Sequence, residues 1–150
     1  MKPKINNISK FNRVHNQKPN TFANYMVVVT IIIPVKDEED GLRFLLDDYK
    51  KSSLKDRYEI KFIFVIDCRT SDSSKKYALE FSNNIIDQKE TTGKGAAVSQ
   101  AVTLWKEEPT EIAIFLDADG SYSFDSVLKL ILELESGSDI VSGSRFLSNG

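Results

Sequence analysis

Apolar residues along this chain fall into two patterns: short unbroken runs, and stripes at helical spacing. Val27–Val35 and Ile60–Ile66 are runs rich in β-branched residues with no polar alternation, as expected of strands covered on both faces. Ile85-Ile86 and Ile112–Leu116 are shorter runs of the same kind. Between the first two runs, Leu42, Leu45, Leu46 and Tyr49 recur at i, i+3, i+4, i+7, which predicts an amphipathic helix. The acids Asp37-Glu38-Glu39-Asp40 stand at its start, where the helix dipole favours negative charge. Ser71-Asp72 can cap a second helix with Tyr77, Ala78 and Phe81 inward. A third spans Gly95–Lys106, presents Val98, Ala101, Val102 and Trp105 on one side and is stopped by Pro109. Ser123-Phe124-Asp125 opens a fourth, with Val127, Leu130, Ile131 and Leu134 inward and an end near Gly137, before a last short strand at Asp139–Gly143. The order β-α-β-α-β-α-β-α-β predicts an α/β fold: a Rossmann-like, mostly parallel sheet with helices on both faces.

Polar residues cluster where this pattern ends its strands. Lys36–Glu39 follows the first strand, Asp67–Asp72 the second, Thr91–Gly95 comes just beyond the third, and Asp117–Ser121 follows the fourth. Ligands of open α/β sheets bind outside the carboxyl ends of the strands, so four such segments on one rim describe one site. Asp117-Ala118-Asp119 is the most pointed of them. In an extended segment residues i and i+2 share a side, which sets two carboxylates about 5–7 Å apart. Unit charges ~4 Å apart interact by about 4 kcal/mol at an effective dielectric near 20, and a divalent cation turns that repulsion into attraction. Oxygen ligands alone favour Mg²⁺ or Mn²⁺. The competing reading is a strand-end turn in which the Asp residues cap backbone amides.

Thr91-Thr92-Gly93-Lys94-Gly95 has the glycines and the charge of a phosphate loop. It is not a Walker sequence, because Gly95 follows Lys94 where Ser or Thr is needed and Gln88 stands where the upstream glycine would be. A tight turn into the third helix explains it equally well. No G-x-G-x-x-G follows the first strand, which argues against a nicotinamide enzyme. Asp67 closes the second strand, where a carboxylate can accept hydrogen bonds from a base or ribose; the alternative is a helix-entry cap, a role that suits Asp72 better. Arg145 follows the last strand and could clamp phosphate oxygens with its fork of donors, or lie idle at the surface.

Composition narrows the setting. At 150 residues and 41% apolar content the chain supports one domain with a real core. Net charge is −2, yet residues 1–25 carry Lys2, Lys4, Lys10, Arg13 and Lys18 and no acid. This leader has no apolar periodicity and is expected to be disordered, with His15 solvated. Its alternative role is weak attraction to an anionic surface, a membrane or nucleic acid, at about 1 kcal/mol per basic residue near a charged membrane. Peripheral membrane contact is the expectation kept, and no nucleic-acid partner is expected. There is no signal-peptide h-region, and the run from Met26 to Val35 is too short to span a bilayer. Cys68 is the sole cysteine, which excludes an intrachain disulfide and a thiolate zinc cluster. A cytoplasmic location follows most simply.

Five ordered segments now carry a family resemblance. Thr30-Ile31-Ile32-Ile33-Pro34-Val35-Lys36-Asp37-Glu38-Glu39 resembles the opening strand and P-x-Y-N-E segment of the inverting GT-A glycosyltransferases, and Phe64–Asp72 resembles their V-V-D-D-G-S-T-D segment. Gly93–Val98, Asp117–Tyr122 and Ile140–Phe146 resemble in particular the dolichyl- and polyprenyl-phosphate sugar synthases of that group. The resemblance implies a metal-dependent glycosyltransferase that takes a nucleoside-diphosphate sugar, of UDP or GDP type, and passes the sugar to an acceptor such as a lipid phosphate at the cytoplasmic face of a membrane. It implies that Pro34, Val35, Glu38 and Asp67 lie near the nucleotide, together with Lys94, Asp117 and Ala118. It implies that Asp117 and Asp119 hold Mg²⁺ or Mn²⁺ on the diphosphate with Ser121 close by, and that Arg145 stands near a phosphate, with Asp119 and Arg145 as the catalytic pair. The chain departs from the family at Lys36 (for Tyr), Asp37 (for Asn) and Cys68-Arg69 (for Asp-Gly). The family continues beyond the position of Gly150 with a segment that shapes the acceptor site, so residues 26–150 are expected to be the nucleotide-sugar-binding domain, truncated on its C-terminal side. Two other readings remain: a non-catalytic nucleotide-binding or interaction module, and a sugar-phosphate nucleotidylyltransferase. The latter is disfavoured because Lys36-Asp37-Glu38-Glu39 is acidic where a glycine-rich basic loop would stand.

Overall fold

The computed structural model describes residues 26–90 and 93–143. The basic leader, Thr91-Thr92 and the segment carrying Arg145 lie outside the described residues. The elements run β1 (Val28–Val35), α1 (Glu39–Lys51), α2 (Leu54–Arg57), β2 (Glu59–Ile66), α3 (Ser74–Phe81), β3 (Ile85–Asp87), α4 (Gly93–Glu107), β4 (Ile112–Phe115) and α5 (Phe124–Glu135). The four strands form one sheet in the order β3-β2-β1-β4, and every neighbouring pair is parallel. The chain steps outward from β1 to β2 to β3, then crosses back to set β4 on the other side of β1.

The strand residues alternate between two cores, as the period-two geometry requires. Val29, Ile31, Ile33 and Val35 of β1, with Phe62, Phe64 and Ile66 of β2, meet Leu42 and Leu45 of α1, Ala78 of α3, and Phe124, Val127 and Ile131 of α5. Ile32, Ile63 and Val65 point the other way, against Ala97 and Ala101 of α4, with Trp105 and Ile86 packed alongside. Helices therefore cover both faces, three main ones on one side and α4 on the other. Tyr49, Phe62, Phe64, Phe81 and Phe124 form an aromatic cluster in the thicker layer, with ring centroids such as Phe62–Phe81 at 5.0 Å and Tyr49–Phe62 at 5.1 Å. Asp48 Oδ2 accepts the Phe124 amide at 2.6 Å, which ties the start of α5 to α1. Ser123 caps α5 as its sequence suggests, its hydroxyl accepting the Ser126 amide at 3.3 Å.

Three expectations change. Helix α4 begins at Gly93, not Gly95; of its expected inward face Ala101 is buried and Trp105 packs alongside, but Val98 and Val102 are only half-buried and Ala97 is buried in their stead. Alanine's short side chain lets α4 lie close on the sheet, so the small residues face inward and the expected valine stripe is rotated off the contact. The predicted strand at Asp139–Gly143 is not a strand: Ile140 is 88% exposed and that stretch has no ladder partner among the described residues. Two apolar residues, Ile140 and Val141, bury too little to hold an edge strand. The short helix α2 was not anticipated; it buries only Leu54. Among the described residues no helix is long and apolar enough to cross a membrane.

Candidate functional site

Because all four strands are parallel, their carboxyl ends share one rim, and the reversal of strand order between β1 and β4 opens a crevice there. A cleft of about 380 Å³ occupies this point. Pro34, Val35, Lys36 and Glu38 enter it from the end of β1, Val65, Asp67 and Arg69 from β2, Gly93, Lys94 and Ala97 from the first turn of α4, and Asp117, Ala118 and Asp119 from the end of β4. Gln88, buried after β3, closes the remaining side. Of the residues singled out from sequence, Pro34, Val35, Glu38, Asp67, Lys94, Asp117, Ala118 and Asp119 therefore converge. Ser121 is not among the lining residues; its amide donates to Asp119 Oδ1 at 2.9 Å. Arg145 lies outside the described residues. Lys36, Val65, Arg69, Gln88, Gly93 and Ala97 complete the lining.

Local conformation explains the β1 segment. Asp37 has a φ of +48°, a left-handed conformation that Asn and Asp tolerate better than other residues. Its Oδ1 accepts the Ser71 amide at 2.7 Å and the Ser71 hydroxyl at 3.2 Å, which holds the turn. Asp therefore serves where the family pattern has Asn. The starts of α1 and α3 are joined reciprocally: Glu38 N–H donates to Ser74 Oγ at 2.7 Å and the Glu39 amide to Asp72 Oδ2 at 3.0 Å, while the Ser73 amide donates back to Glu39 Oε2 at 3.2 Å; Asp72 also accepts the Ser74 amide at 2.9 Å. Burial alone would raise the Asp72 carboxyl, but the hydroxyl and amide of Ser74 and the amide of Glu39 outweigh it and hold it below the ordinary Asp value.

Two ion pairs line the cleft. Arg69 grips Asp67 with both arms of its fork, Nε to Oδ1 and Nη2 to Oδ2, each at 3.1 Å, and its amide also donates to Oδ1 at 2.9 Å. The Asp67 carboxylate at the end of β2 is thus paired within the chain, and a guanidinium is delivered to the cleft wall. The Lys94 ammonium pairs with Asp117 Oδ1. Neither the sequence spacing nor composition signals the Arg69–Asp67 fork; the only sign is that Arg69 stands where the family has glycine.

Acids crowd the start of α1. Burial raises the Glu38 carboxyl above its ordinary 4.5, and the charges of Asp119, Asp72, Asp117 and Asp37 raise it further. Five acids therefore share one neighbourhood. Among the described residues, no group of three or more His, Cys, Asp or Glu side chains is drawn together tightly enough to hold a metal on protein atoms alone.

Glu38 yields a prediction. Its folded pKa lies above its unfolded value, so its charge costs stability above the folded pKa and the cost vanishes below the unfolded one. Glu38→Gln is expected to melt higher than the parent at pH 7 in the absence of divalent ions, with the difference gone near about pH 4. Thermal melts of both proteins at the two pH values check this, and equal melting temperatures at pH 7 would contradict it.

Comparison with known proteins places this arrangement. The profile of glycosyl transferase family 2 matches residues 30–150. The chain belongs to glycosyl transferase family 2. A dolichol-phosphate mannosyltransferase of Pyrococcus furiosus is 29% identical over 126 residues, 81% of this chain and 34% of that protein. An uncharacterised glycosyltransferase of Mycobacterium tuberculosis is 28% identical over 117 residues, 78% of this chain and 48% of its own length. The chain thus spans between about a third and a half of the length of these two relatives. Among solved structures, the mannosyltransferase PcManGT of Pyrobaculum calidifontis, in complex with GDP-Man and Mn²⁺, aligns with a TM-score of 0.49 at 21% identity, over 64% of this chain and 28% of that one.

Proposed function

We propose that the cleft binds a nucleoside-diphosphate sugar, of UDP or GDP type, and that the protein serves transfer of the sugar to a polyprenyl- or dolichyl-phosphate acceptor at the cytoplasmic face of a membrane. The observation that carries this reading is the convergence of Asp117, Asp119 and Glu38 with Lys94 at the β1–β4 crevice. Membership of glycosyl transferase family 2 supports sugar transfer, and the likeness to a dolichol-phosphate mannosyltransferase supports a lipid-phosphate acceptor.

Asp117 and Asp119 are the residues that would hold Mg²⁺ or Mn²⁺ on the diphosphate, with Ser121 fixing Asp119 through its amide. When bound there, such an ion would supply Lewis-acid neutralisation of charge on a departing nucleoside diphosphate, a contribution of several kcal/mol. Lys94 supplies a second positive charge beside Asp117, and the amides at the start of α4 add the helix terminus that favours anions. Pro34, Val35 and Asp67 form the wall for the nucleoside, Asp67 with its Arg69 partner as the polar edge. Ala118 is buried and brings backbone rather than charge to the cleft. Arg145 is assigned to a phosphate. A lipid phosphate is ionised at neutral pH, so such an acceptor attacks without a general base.

Calorimetric titration with GDP, UDP and their sugars, with and without Mn²⁺, tests the proposal. Binding that strengthens about tenfold or more with Mn²⁺ is the expected result; no Mn²⁺-dependent binding to any of these nucleotides would remove it.

A further inference from the structure

Gly41 is the third residue of α1, inside its first turn, where glycine is the poorest helix former after proline. It directly follows the acids Asp37-Glu38-Glu39-Asp40. What surrounds it explains why no side chain is there. A Cβ built on Gly41 would stand 2.2 Å from the carbonyl oxygen of Ala118 and 2.8 Å from both the carbonyl carbon and the Cα of Asp119. These are backbone atoms, which cannot rotate out of the way as the end of a long side chain could. One turn further along the same face, Phe44 meets Gly120: a Cβ there would lie 3.0 Å from the Phe44 ring and 3.6 Å from Gly41 Cα. The backbone of Ala118–Gly120 therefore rests directly on the backbone of α1, with Gly41 as the contact point.

We infer that Gly41 is a positioning residue for the Asp117–Asp119 carboxylates. It touches neither nucleotide nor metal; it sets how deeply the Asp-Ala-Asp turn sits against α1, and so where the acids stand relative to Glu38 and the cleft. Any side chain at position 41 pushes Ala118 and Asp119 outward. This inference rests on the reading of Asp117 and Asp119 as the cation-binding pair.

The test is Gly41→Ala. By helix propensity alone this change strengthens α1, so a preserved fold combined with damaged binding separates positioning from stability. The expected result is a helical protein in which the backbone amide resonances of Ala118–Ser121 shift. Its Mn²⁺-dependent affinity for GDP or UDP falls about tenfold, as for losses of support around metal ligands, while its affinity for the free nucleoside without metal is unchanged. Affinity within about twofold of the parent, or an equal loss for the free nucleoside, overturns the inference. If Gly41→Ala does not fold, Phe44→Ala takes its place, since that ring is 52% exposed and leaves the core intact. It loosens the same turn and is expected to cost about threefold in the Mn²⁺-dependent affinity alone, a smaller share of such support; no change in that affinity overturns the inference. Absence of Mn²⁺-dependent binding in the parent defeats the proposed function instead, so the two failures are distinguishable.

Discussion

Asp117→Ala is expected to lower Mn²⁺-dependent nucleotide affinity by about 100-fold, equivalent to about 2.7 kcal/mol, with little change in melting temperature. The two halves of this expectation come from different features. Asp117 stands at the mouth of the crevice and is paired with Lys94, whose side chain is 63% exposed. A surface pair of that kind stabilises a fold by about 0–1 kcal/mol, so its loss leaves the domain intact. At the proposed cation site the same carboxylate is one of two acids, and removing one partner of a close charge contact costs about 2–5 kcal/mol. Calorimetric titration beside a thermal melt reads both quantities. A variant that keeps the parent's metal-dependent affinity would take Asp117 out of the site, and one that loses it only by unfolding would make Asp117 structural.

The second large effect belongs to the core. Phe64→Ala is expected to destabilise the fold by about 3–5 kcal/mol, a large share of the 5–15 kcal/mol typical of a domain. Phe64 is fully buried on β2, with Phe62 at 5.9 Å and Phe81 at 5.4 Å between ring centroids. β2 is held on both sides by β1 and β3, so the surrounding layers cannot collapse into the cavity. Urea denaturation would show the midpoint moving down with little change in slope; a loss under about 1 kcal/mol would mean the cluster repacks freely.

Sequence pattern made the sheet and most of the site legible because β-branched runs and helical stripes are strong, local signals. Val28–Val35, Glu59–Ile66 and the face Leu42, Leu45, Leu46 fall where periodicity puts them. Pro34, Glu38, Asp67, Lys94, Asp117 and Asp119 meet because a parallel sheet collects its strand ends on one rim. What escaped notice depends on contacts between distant segments or on weak side-chain signals. Ala97 carries little hydrophobicity, yet close packing buries it beside the expected Ala101 and leaves Val98 and Val102 half-buried. The Arg69–Asp67 fork depends on the turn that folds two near neighbours together. Gly41 does leave a trace, a glycine inside a helix turn with no capping duty, but only the position of Ala118 tells what it is for. At Asp139–Gly143 the pattern misleads, since a strand needs a neighbour as well as apolar residues.

The uniform direction of the four strands divides the molecule's connections into two classes. The links that lead into β2, β3 and β4, around Ser52-Ser53, Ser82–Asn84 and Glu108-Pro109, all lie at the amino ends of the strands, away from every residue of the cleft. Changes at exposed positions of these links therefore act at a distance from the cleft. The links that leave the strands have no such latitude, because each of them contributes residues to the cleft.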